Sequence, residues 1–588
     1  MTLTTQSPSP QQETRPGQET PMQQQTAPAA GRMLVAGPME SGYETVLSPE
    51  ALDFLAALHA ALLDERRTLL TEREFRSAAF LRGEFPSYPE ATREIREDAS
   101  WHAIGGRGAK GLSRRRVEIT GAPDGRTAAN ALNSDADSWL ADFEDAMSPT
   151  WSNVVTGQLN LIDAVRGRLR HVTRVGKLYE QRNPTPPTLV VRPRGLHLPE
   201  AHLRYVDAQG AETQASASIV DFGLYFFHNA EALAESGRGA YFCIPKMESA
   251  AEARWWNRMF LLSQSLKGLP VGSIRTTALI ETLGAAIEME EIVWELRDHC
   301  VGLHAGRWDY IFSMIKAFRH DPTFLLPDRK VLTMDLPFLQ AYTSRIVDVC
   351  HRRGIHALGG MATAFPDRED PEKTAEAQRR VREDKQHEAA QGFDGTWVAH
   401  PSLIPVAREA FEEVLGDDDN QIDWVPPTSG SGENGAITAE DLLSREGLPT
   451  TEDLSKRVSE EGVRTNIRAG LAYLNAWLSG QGALKVDHLV EDVSSVEISR
   501  AQIWQWIRRG VQLDNGRVLT GLLVDRWIAE ELAITERSPV DHFTESADVF
   551  RSGSMGEELP ESFTVAAYDK HLVDRRARAF GSFTGVFH

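Results

Sequence analysis

Cysteine is scarce in this chain. There are three among 588 residues, Cys243, Cys300 and Cys350, odd in number and far apart. That excludes a disulfide framework and a four-cysteine metal site, and it fits a reducing cytosol. Long apolar runs are missing too: nothing approaches the roughly 20 apolar residues that a membrane helix needs. The N-terminus lacks the charged start and apolar run of a signal peptide, and Gly585-Val586-Phe587-His588 is not a Ser-Lys-Leu peroxisomal address. Positive charge is in deficit, with 63 Lys and Arg against 84 Asp and Glu and a formal net charge of -21. Such a balance argues against non-specific nucleic-acid binding. An anionic ligand stays possible, because a local cluster such as Arg114, Arg115 and Arg116 can hold phosphates against the global sign. The expectation is a cytoplasmic protein that binds neither membrane nor nucleic acid. No short-period repeat suggests a solenoid, and nothing in the sequence speaks to oligomeric state.

What is present is an ordinary globular mix, 41% hydrophobic and 25% charged, over a length that suggests two to four structural units. Residues 1 to about 44 are rich in Gln, Pro, Thr and Ser and predict a disordered tail. Ser48-Pro49-Glu50 then reads as an N-cap, a proline at N1 and an acidic first turn. The spacing of Leu52, Leu55, Leu58 and Leu62 predicts an amphipathic helix, which opens an N-terminal helical clasp over 45–112 that ends in the Gly105-Gly106-Arg107-Gly108 joint. From 113 to 415, short apolar runs alternate with helical patterns, the texture of βα units around a parallel sheet. Eight strands are predicted, at 138–143, 188–192, 218–222, 240–244, 276–280, 301–305, 357–361 and 396–400. Eight closes a (β/α)₈ TIM barrel, an α/β fold. Helices are predicted between them at 250–266 and 371–391, the latter with Asp370 as N-cap and Pro371 at N1. A Gly-, Ser- and Asp-rich linker spans 416–436. Residues 437–588 predict a mainly helical domain, with Trp477, Trp504, Trp506 and Trp527 as core.

In a barrel the working groups sit at the C-terminal ends of the strands. The predicted strands end in Asp142-Phe143-Glu144-Asp145, in Arg192-Pro193-Arg194-Gly195, in Glu281, and in Gly306-Arg307-Trp308-Asp309. Glu281 and Asp309 are one βα unit apart, and neighbouring strands lie about 4.8 Å apart, so both carboxylates can converge on one Mg²⁺ with substrate oxygens and water. Gly302 and Gly306 would let backbone amides approach a small anion. A single acid after a strand is usually a helix cap or a surface charge. Acids and arginines repeated at one end of the strands point to a metal-dependent barrel enzyme acting on an anion, and spacing alone names no substrate. His299 and His304 beside Asp309 invite a zinc reading, but one ordinary barrel loop is the better account.

The run Arg297-Asp298-His299-Cys300-Val301-Gly302-Leu303-His304-Ala305-Gly306-Arg307-Trp308-Asp309-Tyr310-Ile311-Phe312 closely resembles the signature of the malate synthase family, with His304 where that family usually has Asn. Ala141–Asp145 with Ser148–Trp151, Val191–Gly195, Gly360–Ala362, Gly395–Pro401 and Val490–Trp506 resemble further family blocks. Val493-Ser494-Ser495-Val496 departs from the usual Ala-Ala-Thr-Ala. The length leaves no room for the large α/β insertion of the longer type, so the resemblance is to the A type. It implies an acyltransferase of the glyoxylate cycle that condenses acetyl-CoA with glyoxylate and hydrolyses the malyl thioester to malate and CoA. It further implies that Glu281 and Asp309 ligate Mg²⁺, with Asp142 and Glu144 in the metal's outer shell. Arg192 would face the developing oxyanion, Gly306, Arg307, Trp308 and Asp309 would contact substrate, and Asp492 would be the base. Two alternatives remain: a lyase of the same superfamily that cleaves malyl-CoA or citramalyl-CoA, and a non-catalytic binding relative. Asp492 lies beyond the linker, so the C-terminal domain must cover the barrel mouth to deliver it.

Overall fold

Eight parallel strands close into a barrel in the computed structural model, which describes residues 31–367, 370–448, 458–574 and 577. They are β1 (Val117–Gly121), β2 (Ser138–Asp142), β3 (Thr188–Arg192), β4 (Ala240–Ile244), β5 (Ile274–Ile280), β6 (Cys300–Ala305), β7 (His356–Ala362) and β8 (Gly395–Val398). Each pairs in parallel with its neighbours in chain order, and β8 closes on β1. The expected barrel is therefore present, with two corrections to its strands.

The predicted strand at 218–222 is instead part of α2, the helix Ala217–Glu235, which packs against the N-terminal helix α1 (Pro49–Leu81). Ser218, Ile219, Val220, Asp221 and Phe222 are all buried, because α2 is wedged between the barrel and α1. Phe222 meets Phe242 of β4, and Gly223 lies so close to α1 that a Cβ there would sit 2.6 Å from Leu55 Cδ2. A helix buried on every side carries a continuous apolar run, which periodicity cannot tell from a strand. The strand that sequence reasoning missed is β1. Its second residue, Glu118, points into the barrel, where a charge is tolerated only when paired. Arg115 Nε donates to it at 2.7 Å, and His304 Nε2 lies 2.9 Å from its other oxygen. His304, the departure from the family pattern, thus belongs to a polar layer inside the barrel and not to a loop. Above and below this layer, Leu140, Val190, Cys243, Leu279, Val301 and Trp397 fill the interior.

Of the residues expected to form a tail to about residue 44, those from 31 onward are ordered. Residues 1–30 lie outside the described residues, but Arg32–Val35 form a strand antiparallel to Pro199–Val206. Tyr43, buried, packs edge-on against Trp151. Few apolar residues suffice when an existing strand edge offers partners. Helix α1 begins as expected, with Ser48 Oγ accepting from Ala51 N and Pro49 at N1. The helices at Ala250–Leu266 and Pro371–Gln391 also match, the latter capped by Asp370 accepting from Lys373 N.

Each of the three clustered arginines has a partner within the chain. Arg115 is inside the barrel, Arg116 donates to the carbonyls of Gly416 and Asp418, and Arg114 pairs with Glu412 at 3.1 Å. All three cysteines are buried thiols. No helix among the described residues is long and apolar enough to cross a membrane.

Nearer the C-terminus, α3 (Glu460–Leu478) and α4 (Val493–Arg508) build a second core with Trp477, Trp506 and Trp527. Trp506 Nε1 donates to Leu326 O at 2.7 Å and Trp504 Nε1 to Gly556 O at 3.1 Å, as expected of core residues. Between α3 and α4 runs an unforeseen hairpin, β9 (Leu484–Val486) and β10 (Leu489–Glu491). Its backbone docks on the segment after β7: Val490 N donates to Thr363 O and Phe365 N to His488 O, both at 2.8 Å.

Candidate active site

Register explains why charged side chains gather at one end of the barrel. Asp142 and Arg192 are direct partners on β2 and β3, and Ile280 of β5 is level with Ala305 of β6. Glu281 and Gly306 therefore leave their strands side by side. A Cβ on Gly306 would stand 2.7 Å from Glu281 Cβ, so glycine is required there for packing. The Gly306 amide donates to Tyr342 Oη at 2.9 Å, and Gly302 lies within β6 against His356 O. The glycines thus serve strand approach, and the Gly306 amide expected for an anion is already used.

Asp145, Glu281 and Asp309, all buried, bring one oxygen each within 4.8 Å of one another. Glu281 and Asp309 are the pair that the sequence predicts to converge. The third member is Asp145, to which the sequence assigns no role; Asp142 and Glu144, expected in the metal's outer shell, are not part of this trio. Asp142 is occupied elsewhere: it accepts from the amides of Glu144 (2.9 Å), Asp145 (3.3 Å) and Ala146 (2.8 Å), and from Arg192 Nε (2.7 Å) and Nη2. These bonds coil the loop after β2 so that Asp145 turns inward. Arg192 Nη1 reaches Asp145 Oδ2 at 3.2 Å, and its guanidinium stacks 5.5 Å from the Trp397 ring.

Lys246, two residues after β4, is a member that sequence reasoning missed. Its ammonium lies 3.2 Å from Asp145, 3.6 Å from Glu144 and 3.7 Å from Glu281, and it is hydrogen-bonded to Asp309. The available signal was the same one that exposes the other residues, a charge directly after a predicted strand.

Burial and mutual repulsion set the electrostatics. Burial pushes the Glu281 carboxyl up to about 8, with Asp309 and Asp145 adding repulsion against the pull of Lys246. Glu144 is driven well above the carboxylate range by burial and by Asp145. For Asp145 burial is outweighed by Lys246 and Arg192, which hold it down to about 2. Asp142, Glu144, Asp145, Glu281 and Asp309 set five carboxylates against the cations Arg192 and Lys246. Glu144 Oε2 is buried without a hydrogen-bond partner. An all-oxygen donor set with excess negative charge suits a hard divalent cation such as Mg²⁺. His299 faces Gln264 and His304 faces Glu118, so neither histidine joins the cluster.

Asp492 is the N-cap of α4, where Oδ1 accepts from Ser495 N at 3.3 Å and from Ser494 Oγ at 2.6 Å. Hairpin β9–β10 holds this cap over the strand ends. Arg329 braces it by pairing with Glu491 at 3.3 Å while lying over the Trp308 ring at 5.0 Å. Arg307 stacks on the same ring at 4.3 Å. On the far side, Ser148 Oγ donates to Trp477 O at 2.6 Å and Asn153 Nδ2 to Gly480 O at 2.8 Å. Asp492 is buried, and its carboxyl rises to about 7 through burial and repulsion from Asp145 and Asp309, tempered by Ser494 and Arg192. A carboxylate poised near neutrality in a buried polar mouth has the properties of a general base.

Fold and site together define a (β/α)₈-barrel enzyme with an acid-lined mouth capped by a helical domain. Residues 188–445 match the malate synthase TIM barrel domain and 457–571 match the malate synthase C-terminal domain. The chain is 46% identical to a malate synthase of Streptomyces clavuligerus, over 91% of this chain and 98% of that one. It is 40% identical to a glyoxysomal malate synthase of Candida tropicalis (92% and 96%) and 39% identical to malate synthase A of Escherichia coli strain K12 (89% and 95%). The chain belongs to the malate synthase family and is an enzyme of that activity.

Proposed function

We propose that the chain joins acetyl-CoA to glyoxylate and hydrolyses the malyl thioester, with Asp492 as base, Arg192 as the charge facing the enolate oxygen, and Glu281, Asp309 and Asp145 as holders of Mg²⁺. The observation that carries this reading is the meeting of Asp492, from beyond the linker, with the buried arginine and convergent acids of the barrel. When bound, the cation supplies Lewis-acid charge to the glyoxylate oxygens.

Removing a proton from the methyl of acetyl-CoA is uphill for a carboxylate, so the negative charge must be met as it forms. Asp492 takes that proton. Its Oδ1 is already held by Ser494 and Ser495, which leaves Oδ2 for the substrate. Arg192 is fixed by Asp142 through two of its nitrogens, so its remaining donor capacity comes pre-oriented and no reorganisation is needed during the reaction. The enolate carbon then bonds to the aldehyde carbon as the C=O π pair moves onto oxygen, that oxygen takes up a proton to become the malate hydroxyl, and water cleaves the thioester to release malate and CoA. Trp308, braced by Arg307 and Arg329, forms part of the wall that keeps bulk water from the enolate. Asp142 acts through Arg192, and Glu144 through Lys246. A cytoplasmic setting accords with three buried, unpaired thiols.

The test is thiol release from acetyl-CoA by purified protein, with glyoxylate and Mg²⁺ each present or omitted. Release that requires both, with malate as product, is the expected result. Cleavage of malyl-CoA with no release from acetyl-CoA would overturn it in favour of the lyase reading.

A further inference from the structure

Lys246 enters the acid cluster from a constrained backbone. Its φ of 53° lies in the left-handed region that residues with a Cβ rarely adopt, and such conformations persist only where the surroundings enforce them. Here the enforcement is visible. The Lys246 amide donates to Glu281 Oε1 at 2.7 Å, and Arg73 Nη2 donates to its carbonyl at 2.7 Å. With the backbone pinned on both sides, the side chain can only run into the barrel mouth. Its ammonium touches each of the three convergent carboxylates, Asp145, Glu281 and Asp309. A metal ion seated among these oxygens would meet the ammonium's positive charge at close range, so the two cations compete for the cluster.

We propose that Lys246 is a tethered counter-cation that fills the acid cluster in the metal-free enzyme and yields it to the divalent cation by swinging to Glu144. The proposal rests on reading Asp145, Glu281 and Asp309 as the metal site. Glu144 is the landing point because its Oε2 is buried, lacks a hydrogen-bond partner and already lies 3.6 Å from the ammonium. Lysine is well matched to such a role. It is a compact charge on a flexible four-carbon stem, so a side-chain rotation moves the charge without moving the loop. The device keeps buried carboxylates from being left unpaired when no metal is present, a situation that is strongly destabilising. It also means that metal affinity is measured against an internal competitor.

The experiment is calorimetric titration of metal-stripped, full-length protein with MgCl₂ in the absence of substrates, alongside thermal melting. Wild type is compared with Lys246→Met and Glu281→Gln. Lys246→Met is expected to bind Mg²⁺ at least about tenfold more tightly than wild type, the lower end of what groups beside a metal's ligands contribute. It is also expected to melt lower without metal, and to close that gap at saturating Mg²⁺. Equal or weaker Mg²⁺ affinity in Lys246→Met overturns the proposal. Glu281→Gln separates the two readings. If it titrates like wild type, the metal site itself is misassigned. If it loses binding while Lys246→Met matches wild type, only the role of Lys246 falls. Should Lys246→Met fail to fold, a crystal structure of the wild type with Mg²⁺ decides: Nζ moved onto Glu144 supports the proposal, and Nζ still bonded to Asp309 overturns it.

Discussion

Asp142 and Arg192 stand opposite each other at the ends of β2 and β3, and two guanidinium nitrogens bond the two oxygens of the one carboxylate. The same carboxylate gathers the amides of Glu144, Asp145 and Ala146. One side chain thus aims the arginine and coils the loop that turns Asp145 inward. Asp142→Asn should lower kcat by about 10²-fold, the scale set by small misplacements of catalytic groups. Mg²⁺ affinity should also fall, because Asp145 loses its support. Steady-state kinetics with a metal titration checks both, and normal values would remove Asp142 from this role.

Glu281 carries a testable pH signature. Its folded pKa of about 8 exceeds the ordinary Glu value of about 4.3, so the folded state holds the proton more tightly. Its contribution to stability is fully present below about 4.3 and is lost as pH rises through about 8. Metal-stripped protein should therefore melt progressively lower across that window, and Mg²⁺ should reverse the trend. Glu281→Gln should flatten the window and weaken Mg²⁺ binding at least about tenfold, the lower end of what outer contacts alone cost. A melting profile unchanged by the substitution would count against the assignment.

For Asp492, ionisation is needed for proton abstraction, so activity should rise with pH through about 7. Asp492→Asn should cut kcat by about 10²–10⁴-fold, the usual worth of a positioned base, while Mg²⁺ still binds. Ser494 offers a finer probe. Its hydroxyl donates to Asp492 and favours the charged form, so Ser494→Ala should move the acidic limb of the pH–rate profile upward by about one unit. Ser494→Thr should restore it. An unmoved limb would show that the hydroxyl only packs.

The docking of the C-terminal helices on the barrel is tight enough to test with one methyl group. A Cβ on Gly482 would lie 2.2 Å from Met147 Cα, and backbone cannot give way as a side chain can. Gly482→Ala should lift the segment that leads to Asp492, lowering kcat and the melting temperature together and leaving Mg²⁺ binding in the barrel near normal. Full activity would mean that the contact is dispensable.

Much of this molecule is legible in its sequence because its signals are local. Helix starts at Ser48-Pro49 and Asp370-Pro371 depend on hydrogen bonds within one turn. Seven of the barrel strands are short apolar runs that the sequence displays as such, and the acids and arginine at strand ends follow from chain position alone. The failures share a different cause. β1 is hidden because the charge on Glu118 is cancelled by Arg115 and by His304, far along the chain. Ser218–Phe222 is a helix because α1 buries its outer face. Asp145 goes unassigned because it joins Glu281 and Asp309 only once Asp142, bonded to Arg192 on the adjacent strand, has coiled the loop that carries Asp145. Lys246 matters only because four carboxylates, from two separate loops and a helix, surround it. Local propensity can be read along the chain, whereas the partner that neutralises or buries a side chain is supplied by contacts between distant segments, and those exist only once the barrel has closed and the hairpin Leu484–Glu491 has docked across its mouth.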